Sequence, residues 1–361
     1  MDWSEYIGLL REKKKASGLP LSASFELTPF CNFNCNMCYI HLSPEQAKAQ
    51  GTLLNTDQWL RIGEETKRLG ALGLEITGGE ALTRPDFPIL YEEYIKLGYL
   101  ITIRSNGYLI HDEILELLKR YKPRCVSITL YGASNETYRN ICGIYDGFSV
   151  VTRNTCNMRD AGINLRLSVT LTKDNVDDKK RLIEWANDNG FLLSFYGGLI
   201  TPIRAAKRSI QHLKVDNYSN YCDIETPKRM IQDREKYSSP FWMCKEYGTG
   251  FCISWDGRMT LCNCLPSIWT DSLSQNIGDA YKSLGKLLAE VRRPPECANC
   301  PYIDFCCACP ALLLSETGNH EQTCGNVCKI AKNRYNRFLQ ANLLPQAQGN
   351  NINNSDCLRK E

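Results

Sequence analysis

The stretch SASFELTPFCNFNCNMCY, residues 22–39, decides the fold because it joins a strand pattern to a tight group of cysteines. Residues 22–28 have the apolar composition of a β-strand. Cys31, Cys35 and Cys38 follow at once, in the spacing C-x3-C-x2-C. In α/β folds, functional sites lie at the carboxyl ends of the strands. We therefore expect the three thiols at that end of a parallel sheet.

Five more strand patterns follow, with helical patterns between them. The strands are expected at 74–77, 100–105, 125–131, 163–171 and 191–198, where β-branched and apolar residues dominate. The segments between them have helical spacing of apolar residues and end in Gly or Lys/Arg. About six βα units in series predict an α/β protein with a parallel sheet. An open doubly wound sheet and a partial (β/α) barrel both fit this pattern.

Composition excludes several classes of function. The 361 residues carry 43 Lys and Arg against 40 Asp and Glu, a net charge of +3. Such a balance argues against a nucleic-acid partner, because these binders carry strongly basic domains. No apolar run approaches the ~20 residues that span a bilayer. The start, MDWSEYIGLLREKKKASG (1–18), places acids before basic residues, the reverse of a signal peptide. We expect a cytoplasmic protein with no membrane partner.

The chain contains 19 cysteines, an unusually large number for a cytosolic protein of 361 residues. A reducing compartment keeps thiols out of disulfides, so this many cysteines indicates metal binding. Besides the first three, eleven lie close together in the C-terminal third, and we place a domain boundary near residue 240. These eleven are Cys244, Cys252, Cys262, Cys264, Cys297, Cys300, Cys306, Cys307, Cys309, Cys324 and Cys328.

The first three cysteines supply too few ligands for a closed site. A structural zinc site takes four ligands, and a [4Fe–4S] cluster normally takes four cysteines. A cluster held by three thiolates would therefore leave one iron open to another molecule. On spacing alone, a zinc site with His41 as the fourth ligand also fits.

Four further segments resemble the motifs of one family. They are ITGGEALTRPDF (76–87), RSNGYLI (104–110), ITLYGASNETY (128–138) and VTLTKDN (169–175). Together with the cysteine motif, in this order and each at a strand end, they resemble the radical S-adenosylmethionine (SAM) enzymes. The resemblance implies a partial (β/α)6 TIM-like barrel. It also implies reductive cleavage of SAM to methionine and a 5′-deoxyadenosyl radical that abstracts a substrate hydrogen.

The resemblance also assigns residues. Cys31, Cys35 and Cys38 would hold the catalytic [4Fe–4S] cluster, whose open iron chelates SAM. Glu80 would bind the SAM ammonium, although an acid at a helix N-terminus is an alternative explanation. Arg166 would contact the SAM carboxylate, or else form a surface ion pair. The remaining residues expected around SAM are Tyr39, Gly78, Gly79, Ser105 and Asn106.

The C-terminal cysteines resemble the SPASM extension of that family, which carries two auxiliary [4Fe–4S] clusters. The pattern is C-x12-G-x4-C from Cys244, then C-x2-C-x5-C from Cys297. It departs from the family in having two residues, not three, before Cys309. Paired zinc ribbons are the alternative. By resemblance, the first cluster would use Cys244, Cys252, Cys262 and Cys309. The second would use Cys297, Cys300, Cys306 and Cys328, or Cys324 in place of Cys328.

SPASM proteins mostly modify peptides or proteins, so the resemblance implies thioether or carbon crosslinking, or epimerisation, of a peptide. Formylglycine formation, as in anaerobic sulfatase maturases, is an alternative weakened by Asn263, where that branch has an Asp base. A small-molecule radical SAM dehydrogenase is another. We expect an external flavodoxin- or ferredoxin-type electron donor. Many peptide crosslinkers carry an extra N-terminal leader-recognition domain, which the ~21 residues before the first strand are too few to form. A leader would then be recognised by a separate leader-binding protein, by the barrel, or not at all.

The predicted organisation has five parts. A helical extension spans 1–21, the barrel 22–200, a bridging region 201–243, the SPASM domain 244–330, and a C-terminal helix with a disordered tail 331–361. Cys222 lies in the bridging region and fits no cluster motif. It is either a thiol hydrogen donor to a substrate radical or a plain linker cysteine.

Overall fold

We describe the protein from a computed structural model. The structure describes residues 3–202, 209–215, 239–242, 244 and 246–343. The prediction for Cys222 and most of the bridging region therefore lies outside the described residues, as does the predicted disordered tail beyond residue 343.

Strands and helices alternate through the first two hundred residues. The strands are β1 (Ser22–Glu26), β2 (Gly73–Thr77), β3 (Leu100–Ser105), β4 (Cys125–Leu130), β5 (Leu165–Thr170) and β6 (Leu193–Tyr196). The helices are α1 (Trp3–Ala16), α2 (Pro44–Gln50), α3 (Thr56–Arg68), α4 (Phe87–Lys96), α5 (Asp112–Arg120), α6 (Asn135–Cys142), α7 (Gly147–Asp160) and α8 (Lys179–Asp188). Each predicted strand is present, shifted by at most two residues at either end.

The C-terminal region adds three short strands and three helices. The strands are β7 (Gly250–Ile253), β8 (Arg258–Thr260) and β9 (Trp269–Asp271), and the helices are α9 (Ile277–Ala289), α10 (Pro310–Thr317) and α11 (Gly325–Leu343). Within the described ranges, no helix combines the length and the apolar character needed to cross a membrane.

One sheet runs through both regions, in the order β6-β5-β4-β3-β2-β1-β7-β8-β9. The first six strands are parallel and follow chain order, which confirms the predicted α/β class with a parallel sheet. Strand β7 is a finding that the sequence analysis did not anticipate. It pairs parallel to β1 on the side opposite β2, with Ser22 opposite Gly250 and Phe25 opposite Ile253. The sheet thus continues across the predicted domain boundary near residue 240.

One face of the sheet packs on the helices. The Phe25 ring lies 5.3 Å from the ring of Trp59 on α3 and 5.7 Å from that of Tyr94 on α4. All three side chains are fully buried. Successive side chains of a strand point to opposite faces, so the neighbours of these core residues face the other side. We call that second face the lumen; Ser24, Glu26, Glu75, Arg104, Ser127 and Arg166 lie on it.

Local sequence explains where helices begin and end beside the site. Ser43 caps α2 and Asn55 caps α3, each in a reciprocal capping box with the Gln three residues later. Helix α6 ends at Gly143, whose φ of 73° is left-handed, a conformation that glycine adopts without strain. These caps fix the ends of the helices nearest the first cysteine loop.

Candidate active site

The loop after β1, residues 28–38, carries the first three cysteines and is fixed by backbone hydrogen bonds on two sides. On the β2 side, Gly79 N donates to Thr28 O at 2.7 Å and Glu80 N donates to Phe30 O at 2.8 Å. At the end of α6, the backbone amides of residues 34 and 36 donate to Cys142 O and Ile141 O, each at 2.9 Å. The loop is thus held at the carboxyl end of the parallel strands, as predicted from its position after β1.

Gly78 and Gly79 are required by this loop. A Cβ at Gly79 would lie 2.3 Å from Phe30 O, and a Cβ at Gly78 would lie 2.8 Å from Thr28 O. Both distances are far below van der Waals contact. The sequence analysis attributed the glycine pair to close approach of SAM. The contact that the structure shows is to the backbone of the cysteine loop, so the pair shapes the site through that loop.

Glu80 is a buried carboxylate with an unusual environment. It is 1% exposed, and it accepts hydrogen bonds from Ser105 Oγ at 3.0 Å, Asn106 N at 2.8 Å and Leu82 N at 3.1 Å. Burial raises the pKa of Glu80 to about 7, against the opposing effect of these hydrogen bonds. The structure therefore brings together Glu80, Ser105 and Asn106, three of the residues expected around SAM. The bond from Leu82 N also caps a short 3-10 turn, so the capping explanation holds as well.

Asn106 connects this carboxylate to the cysteine loop. Its Nδ2 donates to Asn32 Oδ1 at 2.8 Å and lies 3.7 Å from Cys31 Sγ. Asn32 is a residue of this site that the sequence analysis did not identify. Its Nδ2 is buried without a hydrogen-bond partner among the described residues. A buried donor of this kind costs free energy unless an acceptor is supplied, and an acceptor atom of a bound cofactor would satisfy it.

The thiols of Cys31, Cys35 and Cys38 influence one another electrostatically. Burial is the main cause that raises the pKa of Cys31 and of Cys38, and neighbouring thiols add to it. The pKa of Cys35 is raised first by the thiol of Cys142 and then by burial. A bound metal ion deprotonates its thiol ligands and offsets this cost. In the part of the chain described, no three His, Cys, Asp or Glu side chains are arranged to hold a metal ion.

Cys142 is a second residue that sequence reasoning missed. It is fully buried at the end of α6, beside Cys35, and the sequence analysis gave it no role. Its separation from Cys35 along the chain explains this, since no spacing motif spans two separate βα units.

Tyr39 and Arg166 are the remaining predicted SAM residues. Tyr39 directly follows the last cysteine of the motif and interacts electrostatically with Arg104 on β3. Arg166 lies on β5 opposite Ser127, with an exposed side chain. No ion pair of Arg166 is formed with another described residue, so the surface ion pair considered from sequence is not present in that part of the chain.

The C-terminal cysteines fall into two groups. In the first, Cys262 interacts with Cys264, Cys244 and Cys309. Cys252, expected in this group, lies buried on β7 with its Sγ against the Asn263 side-chain oxygen. Cys264, which the sequence analysis assigned to neither cluster, is the thiol next to Cys262.

The second group lies around the start of α11. Cys328 interacts with Cys297, Cys300, Cys306 and Cys324. Cys324 is buried and also contacts Glu316 Oε2 at 3.9 Å, whereas Cys328 is exposed. The thiols of the four predicted ligands of the second auxiliary cluster thus lie within electrostatic range of one another, and Cys324 lies within range of Cys328.

These features define a class of protein. A parallel sheet carries a C-x3-C-x2-C loop at its carboxyl end, and a Gly-Gly-Glu segment with a buried Glu80 directly follows the adjacent strand β2. Residues 25–186 match the family model described as Radical SAM superfamily. The chain therefore contains a radical SAM domain and is an enzyme of that kind, for which SAM and a [4Fe–4S] cluster are the implied cofactors.

Individual relatives extend the comparison beyond that domain. The chain is 26% identical over 339 residues to the antilisterial bacteriocin subtilosin biosynthesis protein AlbA of Bacillus subtilis (strain 168). The aligned region covers 87% of this chain and 72% of AlbA. It is 25% identical over 332 residues to the AdoMet-dependent heme synthase of Methanosarcina barkeri (strain Fusaro / DSM 804), covering 83% of this chain and 94% of that protein.

A solved structure confirms the fold. The crystal structure of Streptococcus suis SuiB bound to S-adenosylmethionine superposes with a TM-score of 0.66 and 16% identity, over 91% of this chain and 84% of SuiB. The superposition includes the C-terminal region as well as the six parallel strands. The predicted partial barrel followed by a cysteine-rich region is therefore the fold of this chain.

Proposed function

We propose that this radical SAM enzyme modifies a peptide, with a crosslink or an epimerised residue as the product. The similarity to AlbA carries the proposal, because it extends over 339 residues and 87% of this chain, well beyond the radical SAM domain. AlbA is a biosynthesis protein for a bacteriocin. A further relative, the PqqA peptide cyclase of Ruegeria pomeroyi (strain ATCC 700808 / DSM 15171 / DSS-3), is named for a peptide substrate.

The residues at the first site have distinct tasks in this proposal. Cys31, Cys35 and Cys38 hold the cluster, which supplies reductive cleavage of SAM to the hydrogen-abstracting 5′-deoxyadenosyl radical. Glu80 accepts the SAM ammonium in a charge-assisted hydrogen bond. The bonds that Glu80 accepts from Ser105 and Asn106 hold its carboxylate in place before SAM arrives.

Two auxiliary clusters complete the proposed cofactor set. The second uses Cys297, Cys300, Cys306 and Cys328, which lie around one another. The first uses Cys244, Cys262 and Cys309 with a fourth thiolate. Cys252 is the ligand that the family pattern implies, and the position of Cys264 beside Cys262 makes it the competing choice.

The electrons and the substrate come from other proteins. Reductive cleavage of SAM needs a low-potential electron, and a cytoplasmic flavodoxin or ferredoxin is the donor class that we propose. A separate leader-binding protein is the proposed means of delivering the peptide.

One other function has an observation in its favour. The similarity to the heme synthase of Methanosarcina barkeri covers 94% of that protein, which makes a tetrapyrrole the competing substrate class. Formylglycine formation has no such support, since Asn263 contacts Cys252 through its amide oxygen and an amide does not act as a base at neutral pH.

Isotope transfer tests the proposal. The clusters are reconstituted without oxygen, and SAM, dithionite and peptides encoded beside the gene are added, each peptide carrying deuterium on its carbons. We expect deuterium in 5′-deoxyadenosine and a matching loss from one peptide, and neither in Cys35→Ala. Deuterium transfer from a labelled iron porphyrin, with none from peptides, would overturn the peptide proposal and leave the radical SAM class intact.

A further inference from the structure

A charged layer crosses the lumen just below the SAM residues. Arg104 on β3 lies opposite Ser127 on β4, which lies opposite Arg166 on β5. Two strand spacings of ~4.8 Å place the two arginines about 10 Å apart on the same face. Arg104 directly precedes Ser105, the hydrogen-bond donor to Glu80, so the layer adjoins the site where SAM is proposed to bind.

Arg104 is held in position by a carboxylate. Its Nε lies 2.7 Å from Glu75 Oε2 on the neighbouring strand β2. Glu75 Oε1 in turn accepts a hydrogen bond from Ser24 Oγ on β1 at 3.4 Å. Burial lowers the pKa of Arg104, but the Glu75 carboxylate outweighs this and raises it overall, with smaller contributions from Tyr39 and Tyr196. The guanidinium is thus oriented across three strands.

The Arg104 guanidinium nevertheless has N–H donors that Glu75 does not use. Its side chain is 57% exposed although β3 is a central strand. A guanidinium has five N–H donors, and the contact with Glu75 is made through Nε. Among the described residues, Glu75 is the single carboxylate within ion-pair distance of Arg104. The Nη donors therefore remain for a ligand that enters the lumen.

We propose that Arg104, oriented by Glu75, binds a carboxylate of the substrate in the lumen. The inference rests on the proposed function and specifies its substrate: a peptide that presents an Asp or Glu side chain, or its C-terminal carboxylate, beside the residue to be modified. The planar fork of an arginine matches a carboxylate through two parallel hydrogen bonds. Glu75 already offsets part of the charge of Arg104, so this site suits a monoanion better than a phosphate dianion.

Protection from an arginine reagent tests binding without turnover. The reconstituted enzyme with SAM is treated with phenylglyoxal, and modified arginines are located by peptide mass mapping. We expect acetyl-Gly-Glu-Gly-amide to slow modification of Arg104 at least fivefold and acetyl-Gly-Gln-Gly-amide to have no effect. Arg120, an exposed arginine of α5 outside the lumen, serves as the internal control. Equal modification of Arg104 with both peptides overturns the inference, whatever the deuterium experiment shows.

A variant distinguishes a substrate site from a SAM site. Arg104→Gln should retain SAM binding and substrate-free 5′-deoxyadenosine formation within twofold, while losing at least tenfold of peptide-stimulated formation. Arg104→Lys should restore part of that loss, and Arg120→Gln should behave as wild type. Weaker SAM binding in Arg104→Gln would assign the residue to SAM and overturn the inference. If coproporphyrin protects Arg104 from phenylglyoxal and the glutamyl peptide does not, Arg104 still binds a carboxylate. That result would overturn the inference that the carboxylate belongs to a peptide.

Discussion

The loop that bears Cys31, Cys35 and Cys38 and the C-terminal cysteine region share short cysteine spacings, but the fold supports them differently. The first loop is hydrogen-bonded to β2 and α6, and a buried carboxylate lies beside it. Cys297, Cys300, Cys306 and Cys324 lie on or beside 3-10 turns and loops outside the sheet, and Cys328 is exposed in the first turn of α11. A site on strand ends keeps its geometry without cofactor, whereas a site on loops depends on metal for its shape.

The substitution with the largest expected effect removes one proposed cluster ligand and leaves the fold of the first site intact. Cys35→Ala should lower 5′-deoxyadenosine formation at least about a thousandfold, because the chemistry of a metal site is worth several kcal/mol. Cys156→Ala, a half-buried thiol on α7 away from the loop, should leave the rate unchanged. Mass spectrometry of the nucleoside measures both. SAM cleavage by the Cys35 variant at the wild-type rate would contradict the cluster assignment.

Iron removal should separate the two regions. After anaerobic chelation, amide exchange in residues 295–328 should speed up by at least about a hundredfold, because metal binding there contributes folding free energy. Amides of β1 to β5 should exchange as before, since a hydrophobic core and the sheet hold them. Hydrogen exchange followed by mass spectrometry resolves the segments. Equal loss of protection in both regions would refute the comparison.

The buried carboxylate makes SAM binding at the first site depend on pH. Because burial raises the pKa of Glu80 to about 7, acidification protonates it and removes the acceptor for the SAM ammonium. SAM affinity should fall by up to about tenfold per pH unit between about pH 7 and pH 5, where the SAM amine stays charged. Equilibrium dialysis measures it. Glu80→Gln should bind SAM weakly with a flat profile, and a flat wild-type profile would contradict the role of Glu80.

The smallest effect concerns stability. Gly79→Ala should cost about 1–3 kcal/mol of unfolding free energy, because its Cβ would press on the Phe30 carbonyl. Gly285→Ala is the matched control on α9, where a Cβ meets nothing within 4 Å. It should stabilise by up to about 1 kcal/mol through helix propensity. Urea denaturation compares the two variants, and equal changes would show that the loop does not depend on this close approach.

Local signals made the barrel predictable. Its strands are contiguous apolar segments between helical patterns, and each was located within two residues. Strand β7 was missed because no βα unit introduces it. Its four residues are buried, and its parallel partner β1 lies more than two hundred residues earlier in the chain. The sequence analysis did not identify Cys142 and Asn32 for a related reason. Their roles come from contacts between separate elements, which spacing along the chain does not encode.

The first cysteine loop was placed correctly because it follows β1 directly, and the structure joins Glu80, Ser105 and Asn106 as expected. The lumen layer of Glu75 and Arg104 was not anticipated. It depends on the relative register of β2 and β3, which apolar runs leave unspecified. In the C-terminal region, the family resemblance assigned Cys252 to the first cluster and left Cys264 unassigned, although the fold places Cys264 beside Cys262.

The pairing of β1 with β7 has a consequence for synthesis of the chain on the ribosome. Strand β1 is among the first segments to emerge, but its partner at Gly250–Ile253 is translated more than two hundred residues later. At about 5–20 residues per second, one edge of β1 waits roughly 10 to 45 s for that neighbour. An unpaired strand edge is a template for aggregation. Slow translation or chaperone occupancy during this interval should therefore govern the soluble yield of the protein.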